Sequence, residues 1–84
     1  MTFGSMLESL RHCDELSQVE MAKKLGVSRA HLCDIEKGRR PVTPEKAAAF
    51  ADRLGYSVHQ FVAQAIEDSL RRIGLKLRVE IKAA

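Results

Sequence analysis

The stretch Leu16–Arg40, LSQVEMAKKLGVSRAHLCDIEKGRR, decides the fold. It holds two short helical patterns, split by Leu25-Gly26-Val27-Ser28 and closed by Gly38, Arg39 and Arg40. Ser17 can cap the first pattern, with Glu20 three residues on to complete a capping box. Met21, Ala22 and Leu25 then face inward, and Gly26 supplies the stop. Ser28 can cap the second pattern, whose Leu32 and Ile35 fall on one buried side. Two short helices joined by a tight turn containing Gly make a helix-turn-helix. Val27 can wedge between them, while Leu32 and Ile35 anchor the second helix from beneath. A helix held in this way protrudes and fits a DNA major groove. The basic loop after it then lies where phosphates run.

Outward from this stretch the pattern stays helical. Phe3, Met6, Leu7 and Leu10 fall at i, i+3, i+4 and i+7, one apolar stripe on a helix ending near Asp14. After the loop RRPVTPE, Thr43 caps a fourth helix, with Pro44 at its first position and Glu45 favouring its dipole. Ala47, Phe50, Ala51 and Leu54 give its inner face, and Gly55 ends it. Ser57 caps a fifth, with a long stripe of Val58, Phe61, Val62, Ala65, Ile66, Leu70 and Ile73 and a stop at Gly74. Glu67 with Arg71, and Asp68 with Arg72, are expected as i,i+4 pairs on its solvent side.

The period then changes to two. Leu75, Leu77, Val79 and Ile81 alternate with Lys76, Arg78, Glu80 and Lys82, which predicts a half-buried β-strand. It is the one strand the sequence suggests, and a lone strand leaves its backbone groups unpaired. The simplest remedy is the same strand of a second copy, antiparallel about a two-fold axis. The expectation is therefore an all-α, five-helix domain over 1–74, its helix-turn-helix core at 17–38. Residues 75–84 follow as a strand that pairs across a dimer.

Composition bounds the function. With 84 residues and 45% apolar content, the chain builds one small domain with a modest aliphatic core. A net charge of +3 permits an anionic partner without requiring one, and the clustering of Arg29, Lys37, Arg39 and Arg40 says more than the total. Cys13 and Cys33 form no CxxC pair, which fits a reducing cytosol. No signal peptide and no membrane-length apolar run is seen, so a cytoplasmic location is expected. With Met1 present the chain is expected to be complete, leaving no room for a ligand-sensing domain. His12, His31 and His59 lack metal-ligand spacing, and no nucleophile elbow or glycine-rich phosphate loop occurs. Neither a metal, a cofactor nor an enzymatic activity is expected.

At Leu10–Phe61 the sequence resembles the Xre family, the Cro and phage-repressor type of helix-turn-helix. The string LSQ-x-x-x-A-x-x-LGVS-x-x-x-L-x-x-IE-x-G carries the likeness. The resemblance implies a five-helix domain that binds double-stranded DNA as a homodimer. Its two recognition helices would enter major grooves about 34 Å apart on a pseudo-palindromic operator. It further implies that Arg29, Ala30 and Asp34 stand at base-reading positions, with Cys33 beside them. Arg29 could reach a guanine bidentately, or contact only a phosphate, and Ala30 could touch a thymine methyl. Asp34 either accepts from a cytosine amino group or orients Arg29. Gln18 is similar to the family's phosphate-clamping Gln, and Ser28 and the groove-edge His31 join it on the backbone, with Lys37, Arg39 and Arg40 as the basic phosphate set. Arg11 and Glu36 match a structural pair between helix one and the recognition helix.

Two departures from the family stand out. Glu15 occupies a place where the family commonly has Gly, so helix one either runs straighter into helix two or ends without a left-handed residue. Beyond Phe61 the longer last helix and strand resemble small antitoxins of toxin–antitoxin operons. That resemblance implies a second reading, a module that neutralises a cognate toxin protein and represses its own operon.

Overall fold

The computed structural model describes residues 1–82 and contains five α-helices: α1 (Phe3–Cys13), α2 (Gln18–Leu25), α3 (Arg29–Glu36), α4 (Pro44–Leu54) and α5 (Val58–Arg72). The five helical stretches read from the periodicity are all present, and the fold is all-α.

Each helix starts on a hydroxyl. Thr2, Ser17, Ser28, Thr43 and Ser57 each accept a hydrogen bond from the backbone N–H three residues on. A cap of this kind contributes about 1 kcal/mol. The box expected at α2 is closed in both directions, Glu20 N–H to Ser17 Oγ at 3.1 Å and Ser17 N–H to Glu20 Oε1 at 3.0 Å. A second box that the sequence reading did not identify closes α1 through Thr2 and Ser5.

The C-terminal ends are equally uniform. One backbone N–H reaches five residues back in each case: Leu16 to Arg11, Val27 to Ala22, Arg39 to Asp34, Tyr56 to Ala51 and Leu75 to Leu70, at 2.9–3.0 Å. This closure needs a left-handed residue just inside it. Four helices use glycine there, and α1 uses Glu15 at φ 55°. The expectation that Glu15 would straighten the junction or forgo the left-handed turn is thus corrected. The turn forms, at a steric cost of about 1–2 kcal/mol for a residue with a Cβ.

The chain divides into two compact units, Met1–Arg40 and the segment from Pro41 onward. In the first, α1 and α2 both pack on α3, and Phe3, Met6, Leu7, Met21, Ala22, Leu25, Leu32 and Ile35 are buried. In the second, α4 and α5 pack together, with Val42, Ala47, Phe50, Ala51, Phe61 and Ala65 buried. Tyr56 stacks on Phe61 there, ring centroids 5.9 Å apart.

Two expectations fail in the second unit. The strand at 75–82 does not form: no ladder occurs among the described residues, and positions 83–84 of the expected element lie outside them. Alternation of Leu75, Leu77, Val79 and Ile81 specifies two faces but supplies no neighbouring strand for the backbone N–H groups. Instead Val79 and Ile81, half-buried, line a shallow groove with Gln60, Ala63 and Gln64 of α5, while Leu75 and Leu77 are exposed. On α5 itself, neither expected i,i+4 ion pair occurs among the described residues: Arg71 meets Asp68 at 3.9 Å and not Glu67, and Asp68 accepts from Gln64 at 3.1 Å, in place of the expected partner Arg72. One turn of helix brings i+3 and i−4 neighbours to the same carboxylate.

Candidate nucleic-acid interface

The site is built on α3. Ser28 Oγ accepts the His31 N–H at 3.1 Å and fixes where the helix begins. Leu32 and Ile35 are buried beneath it. Helical geometry then sends Arg29 and Cys33, and Ala30 and Asp34, to the opposite arc as i,i+4 neighbours. The exposures agree. Ser28, Arg29 and Ala30 are exposed, Cys33 and Asp34 half-buried, and His31 half-buried at the margin of the stripe.

The basic set follows directly. Gly38 turns left-handed at φ 76°, and the Arg39 and Arg40 N–H groups both donate to the Asp34 carbonyl, at 2.9 and 3.3 Å. The chain therefore folds back across the end of α3, leaving Lys37, Arg39 and Arg40 exposed beside its outer arc. Asp34 does not pair with Arg29. Its carboxylate lies 3.6 Å from Arg39 Nη1, with 65% of the Arg39 side chain exposed. So open a pair contributes little energy, and the guanidinium can exchange it for another anion.

Beneath the outer face lies a polar network. Arg11 forks onto Glu36, Nε to Oε2 at 2.8 Å and Nη2 to Oε1 at 3.2 Å. Only 3% of the Glu36 side chain is exposed. The hydrogen bonds to Glu36 hold the Arg11 proton more tightly than in a free guanidinium. Gln18 Nε2 donates to the same Oε1 at 3.1 Å. One carboxylate at the end of α3 thereby ties together the first residue of α2 and the last turn of α1. Its charge is neutralised inside the fold, so it opposes no anion outside.

The sequence reading missed Gly4. A Cβ at this position would collide with the carbonyl oxygen of Ile35 and come within 2.9 Å of that of Glu36. α1 can approach the last turn of α3 only because residue 4 has no side chain. A glycine inside an otherwise good helix was the available signal.

Among the described residues no helix is long and apolar enough to cross a membrane, and no group of His, Cys, Asp and Glu is placed to hold a metal ion.

Comparison with known proteins agrees with this geometry. Residues 2–63 match the family described as the helix-turn-helix domain. The chain is 34% identical over 64 residues to the immunity repressor protein of Bacillus phage phi105, covering 76% of this chain and 44% of that protein. It is 50% identical over 36 residues to the ImmF control region 10 kDa protein of the same phage, covering 43% and 40%. The chain thus spans less than half the length of the curated relatives it matches. Among solved structures, the clp gene regulator ClgR from Corynebacterium glutamicum is similar at a TM-score of 0.64 and 29% identity, over 84% of this chain and 77% of that one. Family match, relatives and the exposed α3 agree: the chain belongs to the helix-turn-helix domain family, of the Xre type, a family of DNA-binding regulators and not of enzymes.

Proposed function

We propose that the protein is a sequence-specific transcriptional repressor, acting in the cytoplasm as a homodimer on a pseudo-palindromic operator. The single observation that carries this reading is the division of α3 into an anchored inner face and an exposed outer one. Leu32, Ile35 and Glu36 are buried, while Arg29 and Ala30 are open to solvent. The repressor sense is supported by the likeness to the phage immunity repressor.

In this reading Arg29 reads a guanine, Ala30 meets a thymine methyl, and Asp34 and Cys33 line the same groove. Gln18, Ser28, His31, Lys37, Arg39 and Arg40 hold the phosphates on either side. Homodimerisation is supported by the exposed apolar run Ile73, Leu75 and Leu77, which a lone protomer leaves 72%, 46% and 57% exposed. With Val79 and Ile81 it offers a contact surface in the segment that follows α5, without the ladder first expected.

The test is selection of duplexes by the wild-type chain from a random-sequence DNA pool. The selected sites should carry two inverted half-sites about one helical turn apart. Arg29→Ala should then relax preference at one base pair per half-site, at about 1–3 kcal/mol. Equal weakening on every single-base variant would reduce Arg29 to a phosphate contact. Selection of asymmetric single sites would sink the dimer.

A further inference from the structure

We infer that Glu36 is a positioning residue for Gln18, fixing its side-chain amide so that one N–H is held inside the protein and the other is presented to a DNA phosphate. The inference rests on the DNA-binding reading above and deepens it.

The chemistry of the network dictates the orientation. An ionised carboxylate accepts hydrogen bonds and donates none. The Arg11 guanidinium, which only donates, forks onto both Glu36 oxygens, so both act as acceptors. A neighbouring amide must therefore offer Glu36 its nitrogen and not its oxygen. Gln18 does so, through Nε2 at 3.1 Å. Its second amide hydrogen remains to donate outward.

Position supplies the rest. Gln18 is the first residue of α2, whose hydroxyl cap at Ser17 leaves the positive end of the helix dipole beside it. An amide hydrogen held at that end adds a fixed donor where an anion is already favoured. Were the amide unrestrained, DNA binding would have to immobilise it, at an entropic cost. Arg11 alone gives Glu36 a bidentate partner, so the Gln18 bond is not what keeps the carboxylate paired. Its consequence falls on Gln18.

The test measures affinity for duplex DNA selected by the wild-type chain. Gln18→Met keeps the length of the side chain and removes the donor. It should weaken binding about tenfold per half-site, uniformly across base substitutions in the operator. The salt dependence should stay the same, since a neutral amide displaces no counterion. Glu36→Gln should weaken binding in the wild-type background and add nothing in the Gln18→Met background. A Gln18→Met chain that binds like wild type overturns the inference while leaving the DNA-binding reading intact, as does a full Glu36→Gln effect in the double variant.

Should Glu36→Gln fail to fold, hydrogen exchange at the Gln18 side-chain amide of the wild-type chain decides the matter. One amide proton should be protected in the free protein and the second only on DNA. Fast exchange of both in the free protein overturns the inference. A wild-type chain that retains no duplex at low salt overturns the DNA-binding reading itself, and this inference with it.

Discussion

Arg11 and Leu16 hold each other twice. The Leu16 N–H donates to the Arg11 carbonyl at 3.0 Å, and Arg11 Nη1 donates back to the Leu16 carbonyl at 3.1 Å. Between these bonds the chain passes through Glu15 at φ 55°. One arginine thus ends α1, clasps the turn into α2 and forks onto Glu36. That over-determination explains how a residue with a Cβ stays in a left-handed turn which the other four helices give to glycine.

Replacing Glu15 with glycine should relieve the strain. We expect Glu15→Gly to stabilise the fold by about 1 kcal/mol, since the released steric cost exceeds the extra unfolded-state freedom. For a domain of this size that is a rise in Tm of about 4–8 °C. An unchanged urea midpoint would show that the turn carries no strain.

Removing the clasp should act the other way. Arg11→Met leaves the Glu36 carboxylate buried, with Gln18 as its remaining partner of the network, and should cost about 3–5 kcal/mol. The pair Arg11→Met with Glu36→Leu should recover most of the loss, because no buried charge is left unmatched. Equilibrium urea unfolding of the single and double variants checks both statements. Equal destabilisation of the two would argue that the loss comes from the turn at Leu16.

Gly4→Ala sets two effects against each other. Helix propensity favours alanine by about 1 kcal/mol. The new methyl would press on the carbonyls of Ile35 and Glu36, which are backbone and cannot swing aside. The collision should win, for a net destabilisation of about 1–3 kcal/mol. A stabilised Gly4→Ala variant would mean that α1 can slide off α3 without penalty.

Acid should weaken the cap of α2. The Glu20 carboxyl is held below its ordinary value, first by the Ser17 backbone N–H and then by the Ser17 hydroxyl. A group whose folded pKa is depressed contributes stability above its unfolded value and loses it as pH falls through the folded one. Glu20→Gln keeps an acceptor and does not titrate. The wild type should therefore be the more stable of the two at neutral pH, with the difference closing on acidification below the ordinary carboxylate range. A gap that stays constant in urea midpoints taken across that range would assign it to something other than the charge.

Arg39 and Arg40 should register in salt. Arg39→Ala with Arg40→Ala removes two cations from the proposed phosphate set in each protomer. The slope of log affinity against log salt should fall by about two per protomer. An unchanged slope would take both residues out of the set.

Several of these features could be read from the chain alone, and several could not. Hydroxyl caps at Ser17, Ser28, Thr43 and Ser57 and stops at Gly26, Gly38, Gly55 and Gly74 are local signals, and the structure honours each. Leu32 and Ile35 follow from spacing. Other features depend on residues distant in sequence. Gly4 is needed because of the carbonyls of Ile35 and Glu36, which no local pattern around residue 4 announces. Glu15 turns left-handed because Arg11 reaches past it. The amide of Gln18 is turned by a carboxylate eighteen residues away. At 75–82 the alternation was clear, but alternation describes a strand's faces and does not provide its neighbour.

Ser28 and Gly38 bracket α3, and Leu32, Ile35 and Glu36 moor it. The frame is thus complete without Arg29 or Ala30, which lie on the side the fold does not use. Under the proposed DNA-binding reading, exchange of those two residues would change binding preference while leaving the scaffold intact. Such a protein separates the part of its sequence that natural variation can explore from the part it must keep.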